Sequence, residues 1–251
     1  MTAPLRALLL VLAFVGAFVG VSPARAALTF PPLTGRVVDD AHVLSPQVQE
    51  DLTNKLAALE QKTGDQVVVV TLSSLQGDEI EDYGYQLGRA WGIGEKDKNN
   101  GALLIVAPNE HKVRIEVGYG LEPVLTDAMT SVILQRAVLP KFRAGDVQGG
   151  VVDGTDAIIE QLGLDPAQAQ ARVQAAAQQQ PAHAPGGFPV IFILIAVFVV
   201  FSIFARGGLG FLPFLFLGGG GGGGFRDGGG GGGGFSGGGG SFGGGGSSGS
   251  W

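Results

Sequence analysis

The alternation of apolar and polar positions predicts a first β-α-β unit. "GRVVDD" reads as a short strand, and Ser45 and Pro46 then supply a helix cap and a first-position proline. Apolar residues follow at every third or fourth position until Gly64, which predicts one amphipathic helix. Residues 66–72, "QVVVVTL", form a continuous apolar run, as in a strand that helices cover on both faces.

The pattern continues with a second helix, which we expect Asp78 to cap, and with a second buried strand at residues 102–108. In "VRIEV" the apolar residues alternate with Arg114 and Glu116, and the five-residue turn before it predicts an antiparallel hairpin.

Two more helices complete the predicted order of elements. Thr126 and Asp146 each stand where a cap would open a helix. The order β-α-β-α-β-β-α-α predicts the α/β class: a three-layer α/β/α sandwich with a mixed sheet, over residues 34–163.

The flanking segments predict export and a membrane anchor. Arg6, the apolar stretch 7–21 and the Ala24-x-Ala26 cleavage site have the layout of a signal peptide, residues 1–26. Residues 188–205 are apolar and uncharged and Arg206 follows them, so residues 188–206 are a candidate single transmembrane helix. The domain would then lie on the periplasmic or extracellular side of the cytoplasmic membrane, and the C-terminal tail in the cytoplasm.

Composition sets the segments that follow the domain apart from the domain itself. Residues 164–187 are rich in Ala and Gln, which indicates a partly helical spacer. More than half of the 45 glycines fall from Gly218 onward, so residues 207–251 predict a disordered glycine-rich tail. Its sparse aromatic residues could still bind a partner or the membrane surface.

Charge and cysteine content exclude several functions. The net charge is −6 without a long basic run, which argues against nucleic acid as a partner. The chain has no Cys, which excludes disulfides, thiolate zinc sites and Cys nucleophiles. "GFSGG" in the tail matches a serine nucleophile motif by composition only, because no strand and helix flank it.

Two acidic clusters are the candidate chemistry. Asp39 and Asp40 stand at the end of the first predicted strand, and Glu122 and Asp127 flank the start of the third helix. Capping or solvation would explain either cluster, and Asp127 gains from the helix dipole. The alternative is a divalent-cation site, because Ca²⁺ takes carboxylate and carbonyl oxygens and the glycines of "VGYGLE" permit close backbone approach. On this hypothesis the Glu122 loop faces Asp39.

Four stretches in the expected order resemble the TPM domain family: "VVDDAHVLS", residues 64–108, "VRIEVGYGLEPVLTDA" and "LPKFRAGDVQGGV". The whole layout is similar to its YgcG-type bacterial members. The resemblance implies a Rossmann-like fold, Ca²⁺ or other divalent-metal binding in some members, and acid phosphatase activity in one. It makes Asp39, Glu122 and Asp127 the expected acidic pocket; the slot of Asp40 often holds Tyr in relatives.

The sequence therefore carries two functional hypotheses. The first is a non-catalytic, membrane-anchored module that binds a divalent cation and engages a membrane or envelope protein. The second is a metal-dependent phosphomonoesterase that uses the same acids, although no nucleophile or arginine cluster accompanies them.

Overall fold

The computed structural model describes residues 27–179 and 237–251. The chain divides into two compact units, residues 1–31 and 32–251. In the first unit only residues 27–31 are described, and they have no regular secondary structure. Within the described ranges no helix combines the length and the apolar character needed to cross a bilayer. The predicted signal peptide and the predicted transmembrane helix at 188–206 lie outside these ranges.

The second unit is built on one mixed five-stranded sheet with the strand order β1-β2-β3-β4-β5. The first three strands are parallel, β4 is antiparallel to β3, and β5 is antiparallel to β4. The mixed α/β class and the β3–β4 hairpin are thus confirmed. The strands are β1 Val37–Asp39, β2 Gln66–Thr71, β3 Gly101–Ala107, β4 Lys112–Gly118 and β5 Phe242–Ser250.

Helices lie on both faces of the sheet. One face packs against the helices Pro46–Thr63 and Val147–Gly163 and the segment 127–143, and the other against the helix Ile80–Trp91. The described helices are α1 Pro46–Thr63, α2 Ile80–Trp91, α3 Asp127–Ile133, α4 Leu139–Arg143, α5 Val147–Gly163 and α6 Pro166–Gln179.

Helix capping agrees with the sequence at three of the four predicted positions. The side chains of Ser45, Thr126 and Asp146 each accept a backbone N–H of the first helical turn. The second helix differs, because it begins at Ile80 and the residue before it makes no side-chain cap. The N-cap position of this helix is Glu79, one residue after the predicted Asp78.

Proline shapes the third helical segment without ending it. A π-helical turn at Leu134–Val138 joins α3 to α4, and Pro140 lies in the first turn of α4. Proline has no N–H to donate, so an N-terminal helix position accommodates it without the loss of an intrahelical bond.

The end of the glycine-rich tail is ordered. Residues 242–250 form β5 and extend the sheet beyond β4. The expectation of a disordered tail is therefore wrong for residues 237–251. Glycine composition alone indicated disorder because it offers almost no apolar surface, but here an existing sheet edge supplies the hydrogen-bonding partners.

Candidate functional site

Within the described residues, the end of the tail follows a defined path across the surface of the domain. Residues 238–241 first run along the loop between α2 and β3. Gly239 N–H donates to Gly92 O at 2.8 Å, Gly240 N–H to Gly94 O at 2.8 Å, and Lys96 N–H to Gly238 O at 3.0 Å. The chain then pairs with β4 from Gly118 opposite Phe242 to Lys112 opposite Ser250.

Two aromatic side chains anchor the ends of this path. Phe242 is fully buried, and its ring lies over Gly88 of α2. At the other end, the Trp251 ring centroid lies 4.4 Å from that of Phe142 and 5.5 Å from that of His111. We call the surface formed by β4, Gly88, Tyr119, Glu122 and Phe142 the β4 groove.

The β4 groove requires glycine at position 246 of the strand, and at position 243 a larger residue would crowd its neighbour. A Cβ on Gly243 would overlap the Tyr119 ring, and one on Gly246 would overlap the carbonyl oxygen of Ile115. Gly246 also has a φ of 114°, a conformation that residues with a Cβ rarely adopt. The glycines that signalled disorder in the sequence thus fit a defined surface.

A buried ion pair forms part of the floor of the β4 groove. Arg114 Nε donates to Glu116 Oε2 at 2.5 Å, and the two side chains are 5% and 0% exposed. Arg114 also reaches the tail, because its Nη1 donates to Ser248 Oγ at 3.0 Å and its Nη2 to Gly244 O at 2.8 Å. Burial raises the pKa of Glu116, and the charge of Arg114 offsets part of that increase.

Two of the four predicted site residues lie beside the strand in the β4 groove. Asp127 Oδ1 accepts the N–H of Gly246 at 2.8 Å. Glu122 lies next to Gly245, where a Cβ would come within 3.0 Å of Glu122 Oε1. Asp127 also stands in the first turn of α3, so it serves both the helix start and the tail.

The other two predicted residues lie at the end of β1 and hold the turn that follows it. The Asp39 carboxylate accepts four hydrogen bonds, from Val43 N, Leu44 N, Thr71 Oγ1 and Gln49 Nε2, at 2.6–3.1 Å. Asp40 Oδ2 accepts Ser73 N–H at 2.9 Å. Hydrogen bonds from the Ser73 hydroxyl and amide lower the pKa of Asp40 below its ordinary value of 3.8.

The structure does not bring the two acidic pairs together. Asp39 is level with Val113 in the sheet, at the end opposite to Gly118 and the Glu122 loop. At about 3.3 Å per residue and 4.8 Å per strand, the separation is roughly 17 Å along the strands and 14 Å across them. The expectation that the Glu122 loop faces Asp39 is therefore wrong. Within residues 27–179 and 237–251, no three His, Cys, Asp or Glu side chains are placed to hold a metal.

Several residues of the β4 groove did not stand out in the sequence. Gly84 and Gly88 lie one turn apart inside α2, where each glycine costs about 1 kcal/mol relative to alanine. A Cβ on Gly88 would lie 2.8 Å from the Phe242 ring, and one on Gly84 would lie 3.4 Å from Arg114 Cδ. Two glycines one turn apart inside a helix indicate that another part of the chain packs closely against that face, and this pattern was present in the sequence.

The comparisons with known proteins identify the family of the domain that carries this groove. The TPM domain matches residues 37–161, which include α2, β4 and the Glu122 loop. A solved N-terminal domain of a P. gingivalis protein is 36% identical to this chain. The match covers 82% of that domain and 51% of this chain. The chain belongs to the TPM domain family. No curated protein gives a significant match.

The similar solved structures match the domain of this TPM-family chain, and two of them are more distant in sequence than the P. gingivalis domain. The P. gingivalis domain superposes with a TM-score of 0.49. The N-terminal domain of cg2496 from Corynebacterium glutamicum is 20% identical, with a TM-score of 0.42, over 54% of this chain and 86% of its own. BA42 from Bizionia argentinensis is 18% identical, with a TM-score of 0.44, over 49% and 83%.

Proposed function

We propose that this TPM-family chain is a membrane-anchored, extracytoplasmic protein-interaction module whose binding element is the β4 groove. One observation carries the proposal: the outer edge of β4 pairs over its whole length with a strand from the far end of the chain. Addition of a strand to a sheet edge is a common mode of peptide recognition, in which the main chain supplies hydrogen bonds and side-chain pockets supply specificity.

The β4 groove has both parts of such a site. The β4 backbone offers the hydrogen bonds, and Arg114 and Asp127 add bonds to a strand carbonyl and a strand N–H. The pocket over Gly88 and the surface of Phe142 receive aromatic side chains. The strand in the groove is the chain's own tail, so a protein partner would compete with β5 for this edge.

The membrane anchor is proposed from the sequence alone, from the length and the uncharged, apolar character of residues 188–205. If this segment crossed the membrane once, the tail and β4 of the same chain would lie on opposite sides of the membrane. A single crossing is therefore incompatible with the pairing of β5 to β4 within one chain. The β4–β5 pairing supports a C-terminus on the same side as the domain.

A peptide-binding experiment on the detergent-solubilised full chain tests the groove. Gly246→Val introduces a side chain that overlaps Ile115 and a backbone conformation that valine avoids, so we expect it to release β5. A fluorescently labelled peptide of residues 237–251 should then bind this variant strongly and the wild-type chain weakly, as measured by fluorescence anisotropy.

The matched control for the released variant is Ser250→Val, which adds the same residue to the same strand at an exposed position. This control chain should resemble the wild type. Binding to the released variant should disappear when Gly88→Leu is added, because the new side chain fills the pocket of Phe242. If the peptide does not bind the released variant while β2 and β3 remain protected from hydrogen exchange, the proposal is wrong.

Calcium binding and phosphatase activity remain predictions without comparable support. The residues present do not fit one shared cation site, because the pairs Asp39–Asp40 and Glu122–Asp127 lie at opposite ends of the sheet. Asp39 already accepts four hydrogen bonds. Calorimetric titration of the full chain with Ca²⁺ tests the prediction, and Glu122→Gln should abolish any binding that uses the Glu122 loop.

A further inference from the structure

We infer that the β4 groove also accepts β5 of a second copy of this chain, so that copies link by strand exchange. This inference depends on the proposed function, because it names the partner of the same groove. The groove is selective, because it requires glycine at position 246 and receives the two aromatic side chains of Phe242 and Trp251 at a fixed separation.

The selectivity is defined by contacts along the strand. The most restrictive position is Gly246, where a Cβ would overlap the carbonyl oxygen of Ile115. At Gly243, Gly245 and Gly249 a Cβ would crowd the side chains of Tyr119, Glu122 and Leu139. Upstream, a Cβ on Gly237 or Gly240 would overlap carbonyl oxygens of the loop that follows α2. An ordinary β-strand with large side chains would not fit this surface.

The aromatic residues at the two ends of the docked segment, Phe242 and Trp251, each pack against side chains or backbone of the domain. Phe242 is completely buried against α2, and Trp251 contacts Phe142 and His111 at the far end of β4. The Trp251 N–H also donates to His111 O at 3.3 Å. The last fifteen residues of this chain meet all these requirements, and every copy carries them.

The length of chain before the strand permits exchange between copies. Residues 180–236 separate the end of α6 from the first described residue of the tail. The effective concentration of a strand at its own groove falls as the chain that connects the two becomes longer. In dilute solution each copy therefore keeps its own strand, whereas copies crowded in one membrane would exchange strands.

A complementation experiment separates exchange from self-occupation. One chain carries Gly246→Val, which spoils its strand and leaves its groove open. A second chain with a different tag carries Gly88→Leu, which blocks its groove and leaves its strand intact. Neither chain can then occupy its own groove. The two chains should co-purify at micromolar concentration, and neither should associate with itself.

Two controls fix the interpretation of this experiment. Replacing the second chain by the double variant Gly88→Leu with Gly246→Val should abolish co-purification. Gln86→Leu, which adds the same residue on the exposed side of α2, should leave the strand in its own groove and give no complex. Failure of the two single variants to co-purify would overturn the inference. If the peptide of residues 237–251 still binds the open groove, the proposed function survives that failure.

Disulfide trapping provides a second measurement that needs no blocked groove. The chain has no natural Cys, and Lys112 lies opposite Ser250 in the β4–β5 register. Directly opposed residues of antiparallel strands have Cα atoms about 4.5–5.5 Å apart, which suits a disulfide. In membranes that contain a Lys112→Cys chain and a Ser250→Cys chain, oxidation should give a dimer that reducing agent cleaves. A lack of this dimer, when a chain with both substitutions forms its internal disulfide, would contradict exchange.

Discussion

Phe242 anchors the tail to the domain, and the substitution Phe242→Ala tests this attachment directly. The ring is fully buried between α2 and the sheet, with Gly88 directly above it. Phe→Ala substitutions in protein cores typically cost about 3–5 kcal/mol. Because β5 lies at a sheet edge and is far in sequence from the other strands, we expect this cost to release the strand while the domain stays folded.

The expected size follows from that free energy. At about 1.4 kcal/mol for each power of ten, Phe242→Ala should lower the equilibrium constant for strand docking by two to nearly four powers of ten. Hydrogen–deuterium exchange followed by mass spectrometry measures this change. The amides of β5, and those of β4 that point toward it, should lose protection, whereas β2 and β3 should keep theirs.

A core substitution of similar cost serves as the contrast. Leu56 of α1 is also completely buried, and Leu56→Ala should raise exchange in all strands together because it destabilises the whole domain. If Phe242→Ala also raises exchange equally in β2 and β5, the tail is an inseparable part of the domain. If it leaves the protection of β5 unchanged, Phe242 is not its anchor.

Three further predictions concern sidedness and the acidic residues. In intact cells a membrane-impermeant maleimide should label Ser250→Cys as fully as Lys55→Cys on the domain, and labelling of Ser250→Cys only after lysis would place the tail in the cytoplasm. Asp39→Asn should lower the free energy of unfolding, measured in urea, by about 1–3 kcal/mol, because an amide nitrogen would face donors that now bind a carboxylate. The control substitution Glu122→Gln, at an exposed residue, should change the same free energy by less than about 0.5 kcal/mol. Since the pKa of Asp40 is lower in the folded than in the unfolded state, Asp40 stabilises the fold above pH 3.8 and this contribution is lost as the pH falls through the folded-state pKa. The stability advantage of the wild type over Asp40→Asn, measured by urea titration across the acid range, should therefore shrink as the pH falls, and a constant difference would contradict the assignment.

The sequence determined the elements whose signals are local. A continuous apolar run, a capping side chain followed by apolar residues at helical spacing, and a five-residue turn between strands depend on neighbouring residues only. The α1 caps at Ser45 and Gly64 and the β3–β4 hairpin therefore match the structure. Motif order also sufficed to indicate the TPM family.

Only the tertiary structure decided where the predicted site residues lie relative to one another. Asp39 is the last residue of β1 and Glu122 follows β4, but β1 and β4 run in opposite directions, so the C-terminal ends of these two strands lie at opposite ends of the sheet. Strand direction is a property of the whole sheet and leaves no mark on the residues beside either acid.

The same reason explains β5. A run of glycine and serine has no intrinsic preference for a strand, and it becomes one here because β4 has a free edge and α2 has a pocket for Phe242. Both partners lie more than a hundred residues away in the sequence. The composition of the tail was readable from the sequence, but the surface that it fits exists only after the domain has folded.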